Sequence, residues 1–303
     1  AKWDIDENQG LELKTSELYF LKNGDLQVSN KLNLNIINYH ELIEEQFESS
    51  YFIKKNYSTL ILFYIKSQKK YIDRVFDTVG IWEIPKKDLL IIRKDWNLIK
   101  EIVKTDANNL SEKITTYLGA GTAGTSSDYV TQPNCETNAR LRKFTFKSSY
   151  IKTIYRILKN PENFLSITNE KEINEKTIVE IIEERISCFF DKSIDQIAKD
   201  YSENNKNRYE RVVKRIIGAE DSNKDIEELE KAGIIIKTVR VQKNNKIEQH
   251  MSFQSFEYFD IFNKQWQESE TKEIFEKTLF IIFFKEDDFG DYTINKIKFW
   301  KLS

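Results

Sequence analysis

GLELKT at residues 10–15 and GIIIKT at residues 233–238 are two copies of one short motif, and they decide how the chain is organised. The first copy has a glutamate, Glu12, where the second has Ile235. Each copy is followed by a polar-aromatic segment, a helix-like stretch and a hydrophobic run that ends in lysine, TLILFYIK or TLFIIFFK. An internal repeat of this kind indicates a duplicated domain. If Glu12 has a chemical role, the second half has lost it.

Length and composition favour two folded domains and disfavour several classes of protein. The 303 residues are 40% hydrophobic and 13% aromatic, which is enough for two cores and unlike a disordered chain. No apolar run approaches the roughly 20 residues that span a bilayer, and no signal-peptide pattern is present, so we expect a cytoplasmic protein. Two distant cysteines and two histidines give neither a zinc spacing nor much support for a histidine-based triad. The net charge of −2 does not by itself favour nucleic acid, although basic residues cluster locally.

Hydrophobic periodicity and turn residues predict the order of the secondary-structure elements. Strands are expected over residues 11–20, 26–38, 58–65, 88–92 and 139–151, with a turn at 22–25. Helices are expected over residues 40–50, 93–113, 174–200 and 206–217. The Gly-, Ser- and Thr-rich stretch 119–134 is predicted to be a long irregular loop, and the polar stretch 159–172 is predicted to be a domain boundary.

The first copy of the motif holds the residues that carry chemistry. Side chains two apart share a face of a strand, so we expect Glu12 and Lys14 to emerge together while Leu11 and Leu13 face the core. This arrangement places a carboxylate and an ammonium at one edge of a sheet. The alternative is a solvated ion pair on a strand surface.

Acidic residues just upstream allow a metal site beside Glu12. Asp4 or Asp6 can bring a second carboxylate close, and two carboxylates with a backbone carbonyl suit Mg²⁺. The ion would polarise a phosphodiester and help to generate hydroxide from water. Lys14 could orient or deprotonate that water and stabilise charge in the transition state. The implied reaction is metal-dependent hydrolysis of a phosphodiester.

The segments around both copies resemble the MutH family of the PD-(D/E)XK nucleases. The resemblance lies in DIDENQGLELKT, NIINY, FESS and LFYIK, then in LSEKITTYLGAGTAG, TQPN and ARLRKFTFKSSY, in that order. GIIIKTVR, EQHMSFQSFEYF and FIIFFK look like the second half of two-domain type II restriction endonucleases that cut GATC. The resemblance implies an α/β fold of two tandem restriction-endonuclease-like domains, each a mixed sheet flanked by helices. Residues 1–160 would be a catalytic nuclease domain, and residues 161–303 a degenerate DNA-binding and allosteric domain.

The resemblance also assigns roles to residues of the first half. The family's catalytic glutamate and lysine fall on Glu12 and Lys14. Its aspartate position falls on Ile5, which Asp4 and Asp6 flank, and Asp4 is favoured because a hydrophobic residue follows it, as in the family. Asp4 and Glu12 would hold Mg²⁺. A further family glutamate lies on a helix upstream of the motif and would precede Ala1, so we expect the chain to be a piece of a longer protein.

The candidates for DNA contact follow the YLG segment. In relatives a Thr-Lys-Gly loop helps to read the site, whereas here alanine replaces the lysine and cannot donate to guanine. A GATC-like site is therefore inherited from the resemblance alone. Basic side chains on the next strand are candidates for phosphate or base-edge contacts, with exposed edge-strand charge as the alternative. The candidate residues are Thr122, Ala123, Gly124, Arg140, Arg142 and Lys147.

The second half is not expected to cut DNA. It keeps Lys237, but Ile235 stands at the glutamate position, and Lys214 stands where the family helix would carry its own glutamate. The predicted protein is thus a Mg²⁺-dependent type II restriction endonuclease whose partner is double-stranded DNA, with DNA-induced self-association as a further expectation and no membrane contact. Two alternatives stay open: a DNA-binding chain that does not cut, and a MutH-like mismatch-repair protein that nicks.

Overall fold

The chain divides into two compact units, Ala1–Pro161 and Glu162–Ser303. The computed structural model describes residues 10–21, 24, 26–29, 31–66, 73–125, 127–197, 208–221, 223–247, 251, 253, 258, 262 and 275–301. Asp4, Asp6 and His250 lie outside the described residues.

The first unit contains two sheets, a hairpin and four α-helices among its described residues. Its strands are β1 (Leu11–Phe20), β2 (Leu26–Val28), β3 (Leu32–Ile36), β4 (Ser58–Ile65), β5 (Phe76–Glu83), β6 (Leu118–Thr122), β7 (Tyr129–Gln132), β8 (Cys135–Arg140) and β9 (Arg142–Phe146). Its helices are α1 (Tyr39–Glu44), α2 (Tyr51–Asn56), α3 (Lys86–Thr105) and α4 (Ser148–Lys159), with 3₁₀ turns at Phe47–Ser49, Ala107–Asn109 and Glu112–Ile114.

The first sheet has the order β2-β1-β4-β5 and is mixed. β1 runs parallel to β4 and forms an antiparallel hairpin with β2, and β4 is antiparallel to β5. The second sheet has the order β3-β9-β6, and β7 and β8 form a separate hairpin. The predicted strands over 11–20 and 58–65 are confirmed, whereas the predicted strand 26–38 divides into β2 and β3, which belong to different sheets.

Helix α4 packs on the face of the first sheet that carries Glu12. Tyr155 of this helix makes an edge-on ring contact with Phe63 of β4, and a Cβ added to Gly80 of β5 would lie 2.9 Å from Leu158. The expectation that Leu11 and Leu13 face the core was therefore wrong. Leu13 is 36% exposed while Glu12 is 1% exposed, because the described helices cover the glutamate face and leave the leucine face partly open.

The apolar run at residues 88–92 is helical, and the predicted strand there was wrong. Helix α3 begins directly after Pro85, a residue whose fixed φ suits a helix start. The run continues as buried Ile92, Trp96, Ile99 and Val103, a spacing of three and four residues that belongs to one helix face. A short apolar window could not distinguish this from a buried strand.

The stretch 119–134 is more regular than the sequence predicted. Small residues at its start form β6, which is buried beside β9, and residues further along form β7. The predicted strand 139–151 also divides, into the end of β8, all of β9 and the start of α4. Small side chains carry little strand propensity, so the backbone pairing of β6 depends on tertiary context.

The second unit repeats part of the first sheet of the first unit, the arrangement of β1, β4 and β5. Its strands are β10 (Phe164–Leu165), β11 (Asp225–Ile226), β12 (Ile234–Val241), β13 (Thr278–Glu286) and β14 (Tyr292–Trp300). Its helices are α5 (Glu170–Glu175), α6 (Ile178–Ser187), α7 (Ile194–Ile197), α8 (Arg208–Ile216) and α9 (Glu227–Ala232), and a 3₁₀ turn covers Pro161–Asn163. β12 is parallel to β13, which is antiparallel to β14, as β1, β4 and β5 are related in the first unit.

The two motif strands begin in the same way. Gly10 precedes β1 with φ of 67° and Gly233 precedes β12 with φ of 65°, a left-handed conformation that favours glycine. When the two halves are aligned by sequence, the register between the motif strand and its parallel neighbour differs by one residue between the two units. That alignment matches Thr59 with Thr278, whereas the strand opposite the motif starts at Ser58 in one unit and at Thr278 in the other.

Candidate active site

Glu12 is a buried carboxylate near the start of β1. It is the second residue of the strand, follows the left-handed turn at Gly10 and lies in register with Thr59 of β4. Its side chain is 1% exposed. A carboxylate that far from water is unfavourable unless charges or hydrogen bonds compensate it.

Two lysines compensate one oxygen of that carboxylate. Lys14, two residues along the strand, donates from Nζ to Glu12 Oε1 over 2.8 Å. Lys55 of α2 places its Nζ 3.4 Å from the same oxygen. Their side chains are 17% and 20% exposed, so both ammonium groups connect the buried carboxylate to the surface. The predicted proximity of Glu12 and Lys14 is confirmed.

Lys55 was missed by the sequence reasoning, although a signal for it existed. Helix α2 ends one residue before β4, and β4 runs parallel to β1. Parallel neighbours begin at the same edge of a sheet, so the last turn of α2 lies beside the start of β1. A lysine in that turn is therefore placed near Glu12. Finding it required the strand pairing as well as the motif.

The second oxygen of Glu12 has no protein partner among the described residues. Glu12 Oε2 is buried and lacks a hydrogen bond there. A buried acceptor without a partner is costly, and such an atom calls for an explanation. An anionic oxygen is a ligand that hard divalent cations prefer. Within the described part of the chain, no group of three or more His, Cys, Asp or Glu side chains is placed to hold a metal ion.

Five of the six sequence-predicted DNA contacts lie together at the end of β6, in the loop that follows it and on β8 and β9. Thr122 is the register partner of Arg142, and Ala123 N donates to the carbonyl of Leu141 over 2.9 Å. Leu141 lies between the two arginines, so the loop and both arginines share one corner of the unit. The members of this corner are Thr122, Ala123, Gly124, Arg140 and Arg142.

Gly124 is the residue of that corner with the tightest constraint. Its φ is +64°, and a Cβ added there would lie 2.1 Å from Asp128 Oδ2. The same carboxylate accepts a hydrogen bond from Thr125 N over 2.5 Å. The loop therefore has a defined shape that depends on glycine at this position.

The two arginines are only partly hydrogen-bonded within the described residues. Arg142 Nη1 donates to the carbonyl of Ala120 over 2.9 Å, and the Nε atoms of Arg140 and Arg142 are buried without partners there. Tyr39 Oη donates to the Arg140 carbonyl over 2.6 Å. Burial raises the pKa of Tyr39 to about 12, and the Arg142 guanidinium opposes that rise. The corner therefore holds positive charge beside a hydroxyl that stays protonated.

Lys147, the sixth candidate, is separated from the other five. It lies directly before α4, and its Nζ donates to the carbonyl of Thr115. Burial raises the pKa of Asp95, while hydrogen bonds from three backbone N–H groups at residues 116–118, over 2.6–2.9 Å, and the charge of Lys147 oppose that rise. Lys147 thus has an internal structural contact.

Residues 1–95 match the model of one protein family, described as DNA mismatch repair enzyme MutH. The match contains Glu12, Lys14 and Lys55 and ends within α3. Residues 1–95 are therefore similar to the MutH family. The chain is also 32% identical, over 315 residues, to the type II restriction enzyme Sau3AI of Staphylococcus aureus. That similarity covers 97% of this chain and 64% of the relative, so the chain spans less than two thirds of that enzyme's length.

The second unit repeats the motif strand as β12 without its carboxylate. Ile235 stands at the position of Glu12, opposite Leu279 of β13. Lys237 remains, and its Nζ lies 5.3 Å from the ring centroid of Phe253. Lys214 of α8 is ion-paired with Glu210 over 3.1 Å. Ile235 and Lys214, the two positions at which the resemblance would place a glutamate, carry no carboxylate.

Helices that could cross a membrane are absent from the described part of the chain. The longest helix there, α3, carries many charged residues and none of the helices has a sufficiently apolar stretch.

Proposed function

We propose that the chain is part of a Mg²⁺-dependent type II restriction endonuclease that cuts both strands of DNA at a short specific site. One observation carries the proposal: a buried carboxylate, Glu12, is held by two ammonium groups through Oε1 and is without a described partner at Oε2. The match of residues 1–95 to the MutH family model and the similarity to a type II restriction enzyme support the same function. A GATC-like site follows from the resemblance.

Glu12 Oε2 fits a divalent cation because it is anionic, buried and lacks a described hydrogen-bond donor. Asp4 is the proposed second ligand and lies outside the described residues. When bound, Mg²⁺ would act as a Lewis acid on the phosphodiester and lower the pKa of its water. Lys14 and Lys55 both bind Oε1, which leaves Oε2 as the oxygen free to take a ligand.

The two lysines have separate tasks in the proposed reaction. Lys14 is partly exposed, so its remaining N–H groups can orient the attacking water and hold a non-bridging phosphate oxygen. Lys55 adds a second positive charge where negative charge develops on the phosphoryl group. The water oxygen bonds to phosphorus as the P–O3′ bond breaks. The water loses its proton to solvent and the O3′ takes one up, which leaves a 5′-phosphate and a 3′-hydroxyl.

The corner around Thr122 and Arg142 is proposed to contact DNA. Arg140 and Arg142 are half-buried in this corner, and guanidinium groups suit phosphate oxygens or guanine edges. The second unit is proposed to bind DNA without cutting, since Ile235 cannot hold a cation. Its proposed role is allosteric, and self-association on DNA stays a prediction. Such an enzyme would act in the cytoplasm, where its DNA substrate is.

The test is digestion of unmethylated supercoiled plasmid with Mg²⁺ by the wild-type chain, a Glu12→Gln variant and a Glu17→Gln control. Glu17 lies on the same strand but pairs with Arg74 over 2.5 Å, so its substitution removes an equivalent charge away from the site. We expect discrete linear products from the wild type and the control, and none from Glu12→Gln.

Three other results would each support a different interpretation of the protein. Open circles without linear DNA, produced from hemimethylated substrate, would favour a MutH-like nicking protein. Retained DNA binding without cutting, including in a version extended upstream, would show that the chain is a DNA-binding module. Equal cutting by wild type and Glu12→Gln would remove Glu12 from the mechanism.

A further inference from the structure

Asn56 is a buried amide at the end of the helix that carries Lys55. It is the last residue of α2 and is 1% exposed. Its Nδ2 donates to the carbonyl of Phe52 over 2.8 Å and to Asn35 Oδ1 over 3.1 Å. Both partners can only accept at those atoms, which fixes the orientation of the amide. Asn56 therefore ties the last turn of α2 to strand β3.

Asn35 is directed towards Asn56 by an irregularity in β3. The pairing of β3 with β9 shifts register between Asn33 and Ile36, so Asn35 lies within a β-bulge. Bulges change the direction of side chains and are frequent next to active sites. Asn35 Nδ2 donates to the Ile36 carbonyl over 3.3 Å, which orients its Oδ1 for Asn56. The bulge thus serves a specific contact between β3 and α2.

The same two asparagines connect the two groups of candidate residues. On one side, Ile36 is the register partner of Lys143, and Ile37 N donates to the Arg142 carbonyl over 2.9 Å. On the other side, the Asn56 carbonyl accepts from Thr59 Oγ1 over 3.4 Å, and Thr59 is the register neighbour of Glu12. The residue before Asn56 is Lys55.

We propose that Asn35 and Asn56 are positioning residues that set the place of Lys55 against Glu12 and couple it to the strand that carries Arg142. This inference rests on the proposed function. A hydrogen bond at the helix end fixes the rotation of the last turn, and therefore the point that the Lys55 ammonium reaches. A displacement of about 1 Å in a catalytic group can lower a rate by about a hundredfold.

Two substitutions at Asn35 distinguish loss of the hydrogen bond with Asn56 from loss of the asparagine side chain as such. Asn35→Leu removes the acceptor for Asn56 Nδ2, whereas Asn35→Asp keeps an acceptor at that position, loses the donor to Ile36 and adds a negative charge. Asn33→Leu is a matched control, because Asn33 is exposed on the same strand and precedes the bulge. Asn35 is half-buried, so each variant should keep the fold.

The experiment measures single-turnover cleavage and DNA affinity for the wild type and the three variants. We expect Asn35→Leu to lower the cleavage rate about tenfold or more with DNA affinity within about twofold of wild type, the signature of a lost transition-state contact. Asn35→Asp should recover most of that rate, and Asn33→Leu should match the wild type. A wild-type rate in Asn35→Leu would overturn the inference, as would equal losses in both Asn35 variants or a rate loss matched by a loss of affinity. A wild-type chain that does not cut, either as given or in a version extended upstream, would overturn the proposed function and, with it, this inference.

Discussion

Replacing Glu12 by glutamine should leave the stability of the metal-free fold nearly unchanged and abolish its stabilisation by Mg²⁺. Glutamine keeps the size of the side chain and removes its charge. The two halves of the prediction have different physical origins, and each can be measured without DNA.

The small change in stability expected without metal follows from opposing energies of similar size. At an effective dielectric constant of 20, ammonium groups at 2.8 and 3.4 Å from Oε1 attract the carboxylate by about 5–6 kcal/mol each. Partial exposure of both lysines lowers those values. Burial of the carboxylate costs several kcal/mol, and the unpartnered Oε2 adds about 1–3 kcal/mol. We therefore expect glutamine to change the free energy of unfolding by no more than about 1–2 kcal/mol in EDTA.

The stabilisation of the wild type by Mg²⁺ follows from mass action. At a Mg²⁺ concentration ten times Kd, binding to the folded state alone adds about 1.4 kcal/mol. For a unit of this size, that corresponds to a rise in Tm of about 3–6 °C. The variant has no anionic oxygen at position 12, so its Tm should not respond.

Thermal unfolding of wild type, Glu12→Gln and the Glu17→Gln control, each with EDTA and with Mg²⁺, measures both halves. A Mg²⁺-dependent rise in the Tm of Glu12→Gln equal to that of wild type would refute the placement of the cation at Oε2. A loss of more than about 3 kcal/mol in EDTA would show that Glu12 is mainly a structural ion-pair partner. The control should respond to Mg²⁺ as the wild type does.

Three further predictions concern the surroundings of the site. Asp95→Asn should destabilise the fold by about 2–5 kcal/mol in chemical denaturation, because an amide NH₂ would face backbone N–H groups from which the carboxylate now accepts hydrogen bonds. An unchanged denaturation midpoint would contradict this. The hydrogen bond from Lys159 lowers the pKa of Asp77, so its stabilisation is present above the unfolded value of about 3.9 and is lost as pH falls through the folded value. The stability difference between wild type and Asp77→Asn should therefore be constant above about pH 5 and shrink in more acidic solution, and a difference independent of pH would count against the pair. Gly124→Ala should lose about 1–3 kcal/mol more than Gly24→Ala, since both have positive φ but only Gly124 has an atom within 4 Å of the added Cβ; equal losses would mean that the loop can adapt.

The parts of the fold that the sequence predicted are those set by local pattern. Strand β1, its hairpin with β2 and strand β4 follow from apolar alternation, a short turn and a buried run. Helix α3 was misread at its start because the run DLLII was judged without the apolar positions that continue to Val103. Strand β6 could not be predicted from LGAGT, since its regularity comes from pairing with β9.

The candidate site likewise contains residues whose proximity local spacing predicts and one that it does not predict. Glu12 and Lys14 are two residues apart on one strand, so their proximity could be predicted from spacing. Lys55 is 43 positions from Glu12 and reaches it only because β1 and β4 pair in parallel. The burial of Glu12 was not predicted, because it depends on which face α4 covers.

A comparison of the two units separates what the fold needs from what the site needs. Both units form a parallel pair of strands after a left-handed glycine, and one does so with Ile235 where the other buries Glu12. The strand arrangement therefore does not depend on the carboxylate. In the second unit Lys237 lies against the ring of Phe253, an interaction that does not need a buried anion. A carboxylate that the sheet can do without, and that leaves one oxygen unpartnered in the described residues, is best explained by chemistry at that oxygen.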